Sequence, residues 1–192
     1  MENYIIDVPP MEFESFDSMN SKQAQEFFDW YVGNTGKRVK TLFEYISKTG
    51  NNKIQADFRK QSLIDVWGWF ECNITTEFMD FKEMLENIRG NKISFFKAIS
   101  NPKKITSLTY AIAMDIAIYF AETFISNNNS VYWGFFTKPK NRMSVNKPVL
   151  LGFRNNMDLD PRLIVENCMW KSIEQKNEMY LFDVYEVWLK YV

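Results

Sequence analysis

The segment at 108–126, LTYAIAMDIAIYFAETFIS, carries charge only at Asp115 and Glu122 and is otherwise almost continuously apolar. A run of this length without Pro or Gly, preceded by Thr106 or Ser107 as a capping residue and ended by Asn127, Asn128 and Asn129, predicts one long helix. A helix that is hydrophobic all round has no face to turn to water, so other elements must surround it. Asp115 interrupts the run, and the uncharged stretches are shorter than the roughly 20 residues that cross a bilayer. The sequence therefore predicts a buried central helix, with no membrane association.

The rest of the chain supplies the surroundings. Of 192 residues, 46% are hydrophobic and 24% charged, far from the composition of a disordered chain. Residues 1–18 form an acidic N-terminal arm with Pro9 and Pro10, whose Met11, Phe13 and Phe16 can lie against the body in extended form. Asn20 with Gln23 three residues on marks a helix start, and Ala24, Phe27, Phe28 and Tyr31 follow on one face until Gly33. Val39, Leu42, Phe43 and Ile46 give a second helix stopping at Gly50, so the two form a helical hairpin or one helix broken at Gly33. Ile54, Ala56 and Phe58 alternate as a short strand would. Ser62 then reads as the cap of a helix with Asp65 at N3, turning Leu63, Val66, Trp67 and Phe70 inward and leaving Trp69 off the stripe.

Thr75 or Thr76 opens a further helix through Phe78, Phe81, Leu85 and Ile88, closed by Gly90. Residues 91–104 show no period. Residues 131–136 and 149–153 are rich in strand formers and predict an antiparallel pair. Asp160 with Pro161 starts a helix through Ile164, Cys168 and Ile173, and a last helix turns Leu181, Val184, Tyr185 and Trp188 inward. With no internal repeat or linker, the expectation is one domain over 1–192. Its class is α+β, mainly helical, with about six or seven helices around the central one and a small antiparallel sheet.

Several function classes drop out on composition. The chain has no histidine, which removes imidazole general bases, Ser/His/Asp and Cys/His nucleophile systems and the common zinc sites. Cys72 and Cys168 lack a CxxC partner and read as small buried hydrophobes. Gly33 to Arg38 (GNTGKR) fails as a phosphate loop, having two residues between its glycines and Arg38 where Ser or Thr is required. Asp158 and Asp160 lack the glycine and terminal glutamate of a calcium loop, and capping accounts for Asp160 better. No cofactor or metal is expected.

A net charge of −1 offers no field to attract a phosphate backbone, so nucleic acid is an unlikely partner and another protein the expected one. The acidic arm and the basic stretch of Lys37, Arg38 and Lys40 read as two solvated faces of opposite sign. The first residues lack the basic and apolar regions of a signal peptide, which points to the cytoplasm.

Two constellations carry chemistry. Asp115, Tyr119 and Glu122 stand at i, i+4 and i+7 on one side of the central helix. Two carboxylates beside a phenol in apolar surroundings suit acid and base work or a hard cation, and equally suit buried structural pairing. The loop with Lys138, Lys140 and Arg142 beside Trp133 suits an anionic ligand or an acidic protein surface, and equally a solvated turn.

The stretches SLIDVWGWF (62–70), MDIAIYFAE (114–122), YWGFFTKPKN (132–141) and VNKPVLLGF (145–153), with the ending at 181–188, resemble a family of uncharacterised small proteins from Firmicutes. That resemblance implies a single domain and no particular activity. Tyr119 to Glu122 followed by Trp133 and the strand at 148–152 is also similar to helix-then-hairpin segments of some bacterial immunity-type proteins, although Ala121 stands where those usually carry glycine. The first expectation is thus a non-catalytic cytoplasmic binding or regulatory protein of immunity-like character. One alternative is a hydrolase or metal-dependent enzyme using Asp115 and Glu122, with Tyr119 positioning substrate. The other is a structural subunit of an assembly.

Overall fold

The computed structural model describes residues 4–49, 53–90 and 102–192. Helices α1 (Ser21–Gly33), α2 (Thr35–Lys48) and α3 (Ser62–Asn73) come first, and strand β1 (Thr76–Phe78) precedes α4 (Phe81–Arg89). Strand β2 (Lys103–Ile105) leads into the long α5 (Ser107–Asn127). Strands β3 (Tyr132–Gly134) and β4 (Val149–Leu151), then α6 (Pro161–Glu174) and α7 (Tyr180–Leu189), complete the order. The described residues thus form seven helices and two antiparallel strand pairs, β1 with β2 and β3 with β4, in the mainly helical α+β class the sequence predicts.

Helix α5 is the apolar segment, capped by Thr106, whose hydroxyl accepts from the Thr109 amide. Its 21 residues are long and apolar enough to cross a membrane by length and composition, which corrects the expectation that the segment is too short, and 67% of its most apolar window lies inside the fold. Ala113, Ala117 and Ala121 let neighbours approach, α6 and α2 pack along it, and Ile116, Phe120 and Phe124 are fully buried. Each such side chain contributes about 1.5–3 kcal/mol of transfer free energy. One contiguous core runs from the arm through α5 to α7.

The caps legible in the sequence are present. Asn20 and Gln23 form a reciprocal capping box, each side chain accepting from the other's amide at 3.0 Å. Asp160 accepts from the Arg162 amide with Pro161 at the first position. Only Asn34 separates α1 from α2. It lies in the right-handed helical region, so the chain runs onward and the pair is one broken helix, not a hairpin.

Other expectations are corrected. Residues 54–58 form no strand: Phe58 has φ +53°, its amide donates to the Tyr119 hydroxyl and its carbonyl accepts from Asn127, so the segment is bonded to α5 and not to a strand. Thr75 and Thr76 do not open a helix. Residues 76–78 pair with β2 as a strand, and Asp80 takes over the capping of α4 by accepting from the Glu83 amide at 2.7 Å. Phe78 and Phe81 are consequently exposed.

Ser62 lies inside the first turn of α3 and donates back to the Arg59 carbonyl, so it is not the cap. Trp69 is buried too, its indole nitrogen donating to Thr49. Cys72 is exposed, and Ile173 turns partly outward while Val165, Cys168 and Met169 form the inner stripe of α6. Arg38 is not on a solvated face; it is buried. The expected helix stop at Gly50 and most of the aperiodic stretch at 91–104 lie outside the described residues.

The described part of the arm packs against the body. Phe13 and Phe16 pack with Phe27 of α1 at ring separations of 5.2–5.3 Å, and Asn146 donates to the Phe16 and Met19 carbonyls. Tyr4 reaches the core.

Candidate functional site

The side of α5 that carries Asp115, Tyr119 and Glu122 is divided among three different neighbours. Asp115 is buried and receives the Arg38 guanidinium through two nitrogens, Nε at 2.8 Å and Nη2, while the Tyr4 hydroxyl donates to the same carboxylate. Arg38 Nη1 donates to the Ile5 carbonyl at 2.7 Å, so one guanidinium ties α2, α5 and the arm together. Burial pushes the Asp115 carboxyl above its ordinary value, against the pull of Arg38 and Tyr4 in the opposite direction.

Tyr119 sits one turn further along the same stripe, between Asp115 and Glu122. Its hydroxyl meets Ser62 Oγ at 2.5 Å and accepts the Phe58 amide at 3.2 Å, and burial raises its phenol. Glu122 turns toward β3 and accepts from the Trp133 indole at 2.9 Å. The three share a helix side without converging on a common point. Among the described residues no three acidic or cysteine side chains come together as metal ligands would.

The basic loop is similarly dispersed. Lys140 donates to the Met19 carbonyl at 2.9 Å, helping to clamp the end of the arm. Arg142 donates to Ser144 and pairs with Asp158, its guanidinium 3.7 Å from the centre of the Phe136 ring. Lys138 is exposed. Trp133 belongs to the core side of β3, edge-on to Tyr31 at 5.5 Å, so it does not share a surface with the loop cations. Asp160, the α6 cap, also holds Arg162.

What the fold does assemble is a cavity of about 230 Å³ between the arm, the end of α1 and the middle of α5. Ile6, Pro9 and Phe13 cover it from the arm. Phe27, Trp30 and Tyr31 of α1 form one wall, and Ala111, Met114 and Ile118 of α5 form the floor. The polar residues around it are Asp7, Asn34, Arg38, Asp115 and Arg162. Two polar atoms of lining residues, the Tyr31 hydroxyl and Asp7 Oδ2, have almost no accessible surface and no hydrogen-bond partner among the described residues. Asp7 Oδ1 accepts from Lys37 at 3.3 Å. Burial raises the Tyr31 phenol, so it remains a neutral donor and acceptor.

Aromatic and apolar walls with a few polar residues among them are the usual make-up of a small-molecule site. Asp115 belongs to it through its bond to Arg38, while Tyr31, Asp7, Arg38 and Arg162 were not singled out by sequence as ligand residues. A signal existed for two of them. Tyr31 lies on the apolar stripe with Ala24 and Phe27, and Arg38 shares a face with Leu42 and Ile46, so each puts a polar group where only packing is expected. No known protein family, curated protein or solved structure matches the chain.

Proposed function

We propose that this chain is a non-catalytic binding protein that holds its ligand between the N-terminal arm and the central helix. The observation that carries this reading is the aromatic-walled cavity between the arm, α1 and α5. Catalysis by Asp115 and Glu122 has less support, since each carboxylate already accepts hydrogen bonds that hold the fold together. The reading places the protein in the cytoplasm, where an exposed free thiol such as Cys72 stays reduced.

The test is equilibrium dialysis of the full chain against a small-molecule extract of its host, followed by mass spectrometry of what is retained. A retained molecule recovered chemically unchanged after prolonged incubation supports the reading. Time-dependent conversion that disappears in Glu122→Gln overturns it in favour of an enzyme.

A regulatory or immunity-like role with a protein partner is a second reading, favoured by Phe78 and Phe81, which are 71% and 73% exposed beside a helix, α4, that buries no residue. It requires that a partner identified by crosslinking bind the purified chain and lose that binding in Phe78→Ser/Phe81→Ser. Concentration-dependent self-association removed by the same substitutions would point instead to a subunit of an assembly.

A further inference from the structure

We infer that residues 4–10 of the arm are a releasable strap over the cavity, held shut by one latch, the contacts of Tyr4 and Ile5 with the Arg38–Asp115 pair. This regulation rests on the protein being a binding protein. The arm is anchored unevenly. Its inner part stays with the body: Phe13 and Phe16 pack on Phe27, Met19 is 1% exposed, and Asn146 and Lys140 hold the Phe16 and Met19 carbonyls. Its outer part is held far less. Ile5, Ile6 and Val8 are 66%, 53% and 73% exposed, and no backbone–backbone hydrogen bond joins residues 4–12 to another described residue.

Three polar ties hold the outer part. The Tyr4 hydroxyl donates to Asp115, Arg38 Nη1 donates to the Ile5 carbonyl at 2.7 Å, and Lys37 pairs with Asp7 at 3.3 Å. The Lys37 side chain is 60% exposed, so its pair with Asp7 contributes little. The other two ties meet at the buried ion pair, where the Tyr4 ring also packs edge-on to Tyr45 at 4.9 Å. Docking Tyr4 and Ile5 there removes water from Arg38 and Asp115, and that desolvation offsets much of what burying the Tyr4 ring contributes. The closed arrangement therefore leads by a small margin, as segments that open locally do.

Pro9 and Pro10 stiffen the chain between the two parts, so the outer residues lift together while 13–19 stays in place. Ile6, Asp7 and Pro9 are the strap's share of the cavity lining. Lifting them uncovers Ile118, another lining residue, which is 3% exposed while the strap is down. A ligand that touches the strap favours the closed arrangement, and closure in turn retains the ligand.

The test is the rate of thiol labelling by dithiobisnitrobenzoate in Cys72→Ser/Ile118→Cys, with buried Cys168 as the internal reference for opening of the whole fold. Below the unfolding transition, labelling at position 118 should be nearly independent of urea while that of Cys168 rises steeply, because lifting the strap exposes far less surface than unfolding. Tyr4→Phe keeps the ring and removes only the hydroxyl bonded to Asp115, and should speed labelling at position 118 about tenfold. Met114→Cys in the Cys72→Ser background should respond in the same direction, should the Ile118 variant fail to fold.

The same steep urea dependence at both thiols overturns the inference, since the strap would then open only with the whole fold. So does labelling as fast as that of exposed Cys72 in the native chain, which would mean that the cavity needs no opening, and so does a rate that Tyr4→Phe leaves unchanged. These rates need no ligand, so each failure leaves the binding-protein reading standing, and only the dialysis experiment decides that reading.

Discussion

Arg38 binds more separate parts of the molecule than any other single side chain described above. It reaches Asp115 on α5 through two nitrogens and the Ile5 carbonyl of the arm through a third. Arg38→Met leaves the Asp115 carboxylate buried without its cation and should cost about 3–5 kcal/mol, read from urea midpoints at pH 7. Arg38→Met/Asp115→Leu should recover most of that loss, because no charge is then left in the core.

The pH dependence has a definite sign. Burial raises the Asp115 carboxyl in the fold, so its favourable contribution is complete below the unfolded carboxylate value and is lost as pH rises through the folded one. Removing the cation that opposes that rise lifts the folded value further. The deficit of Arg38→Met should therefore shrink as the urea series is repeated at lower pH, and a deficit independent of pH would remove Asp115 from the explanation.

At this scale the sequence was half legible. The spacing of Asp115, Tyr119 and Glu122 puts them on one helix side, which periodicity can show. It cannot show that their partners lie at positions 38, 62 and 133, because those contacts exist only once the chain has folded.

At the scale of elements, local chemistry explains what was readable. The Asn20–Gln23 box, Thr106 and the Asp160–Pro161 start are each decided within four residues, so sequence alone identifies them. The segment at 75–78 differs from its local pattern for the opposite reason. Its helical spacing competes with pairing to residues 103–105, far along the chain, and with a better cap at Asp80. Lys104 strengthens the strand choice by pairing across to Glu77 at 3.4 Å and to Glu83 at 2.7 Å.

The β3–β4 pair depends on Gly152. Its φ is +97°, and a Cβ there would lie 1.8 Å from the Ser130 carbonyl oxygen, a backbone atom that cannot step aside. Gly152→Ala should cost about 4 kcal/mol or more, or prevent folding, as judged by thermal melts followed by circular dichroism. Gly134→Ala provides the comparison: its Cβ would meet the Leu151 side chain at 2.4 Å, and a side chain can rotate, so the loss should be smaller. Equal losses would show that the Gly152 backbone is not the constraint.

At the scale of the molecule, the arm, the cavity and the central helix belong to one core, and the core is dense in buried acids that ionise only at alkaline pH. Tyr4, Tyr31, Tyr119 and Tyr185 are all raised, with burial the largest cause in each, and burial pushes the Cys168 thiol up to about 11. For an acid whose folded value exceeds its unfolded one, the stabilisation is complete below the unfolded value and is lost as pH rises through the folded value. The unfolded values are about 8.5 for the thiol and about 10 for the phenols.

Stability should therefore be flat near neutrality with respect to these groups and fall steadily above about pH 8.5. Because several groups contribute in the same direction, the fold should give way before the buried phenols ionise. Absorbance at 295 nm would then rise in a cooperative step that coincides with the loss of helical circular dichroism. Gradual ionisation of all the tyrosines with the helical signal intact would mean that water reaches Tyr4 and Tyr31 in the folded state. That result would also mean that the arm, which carries Tyr4, does not shield α1 and α5 from water where it packs on them.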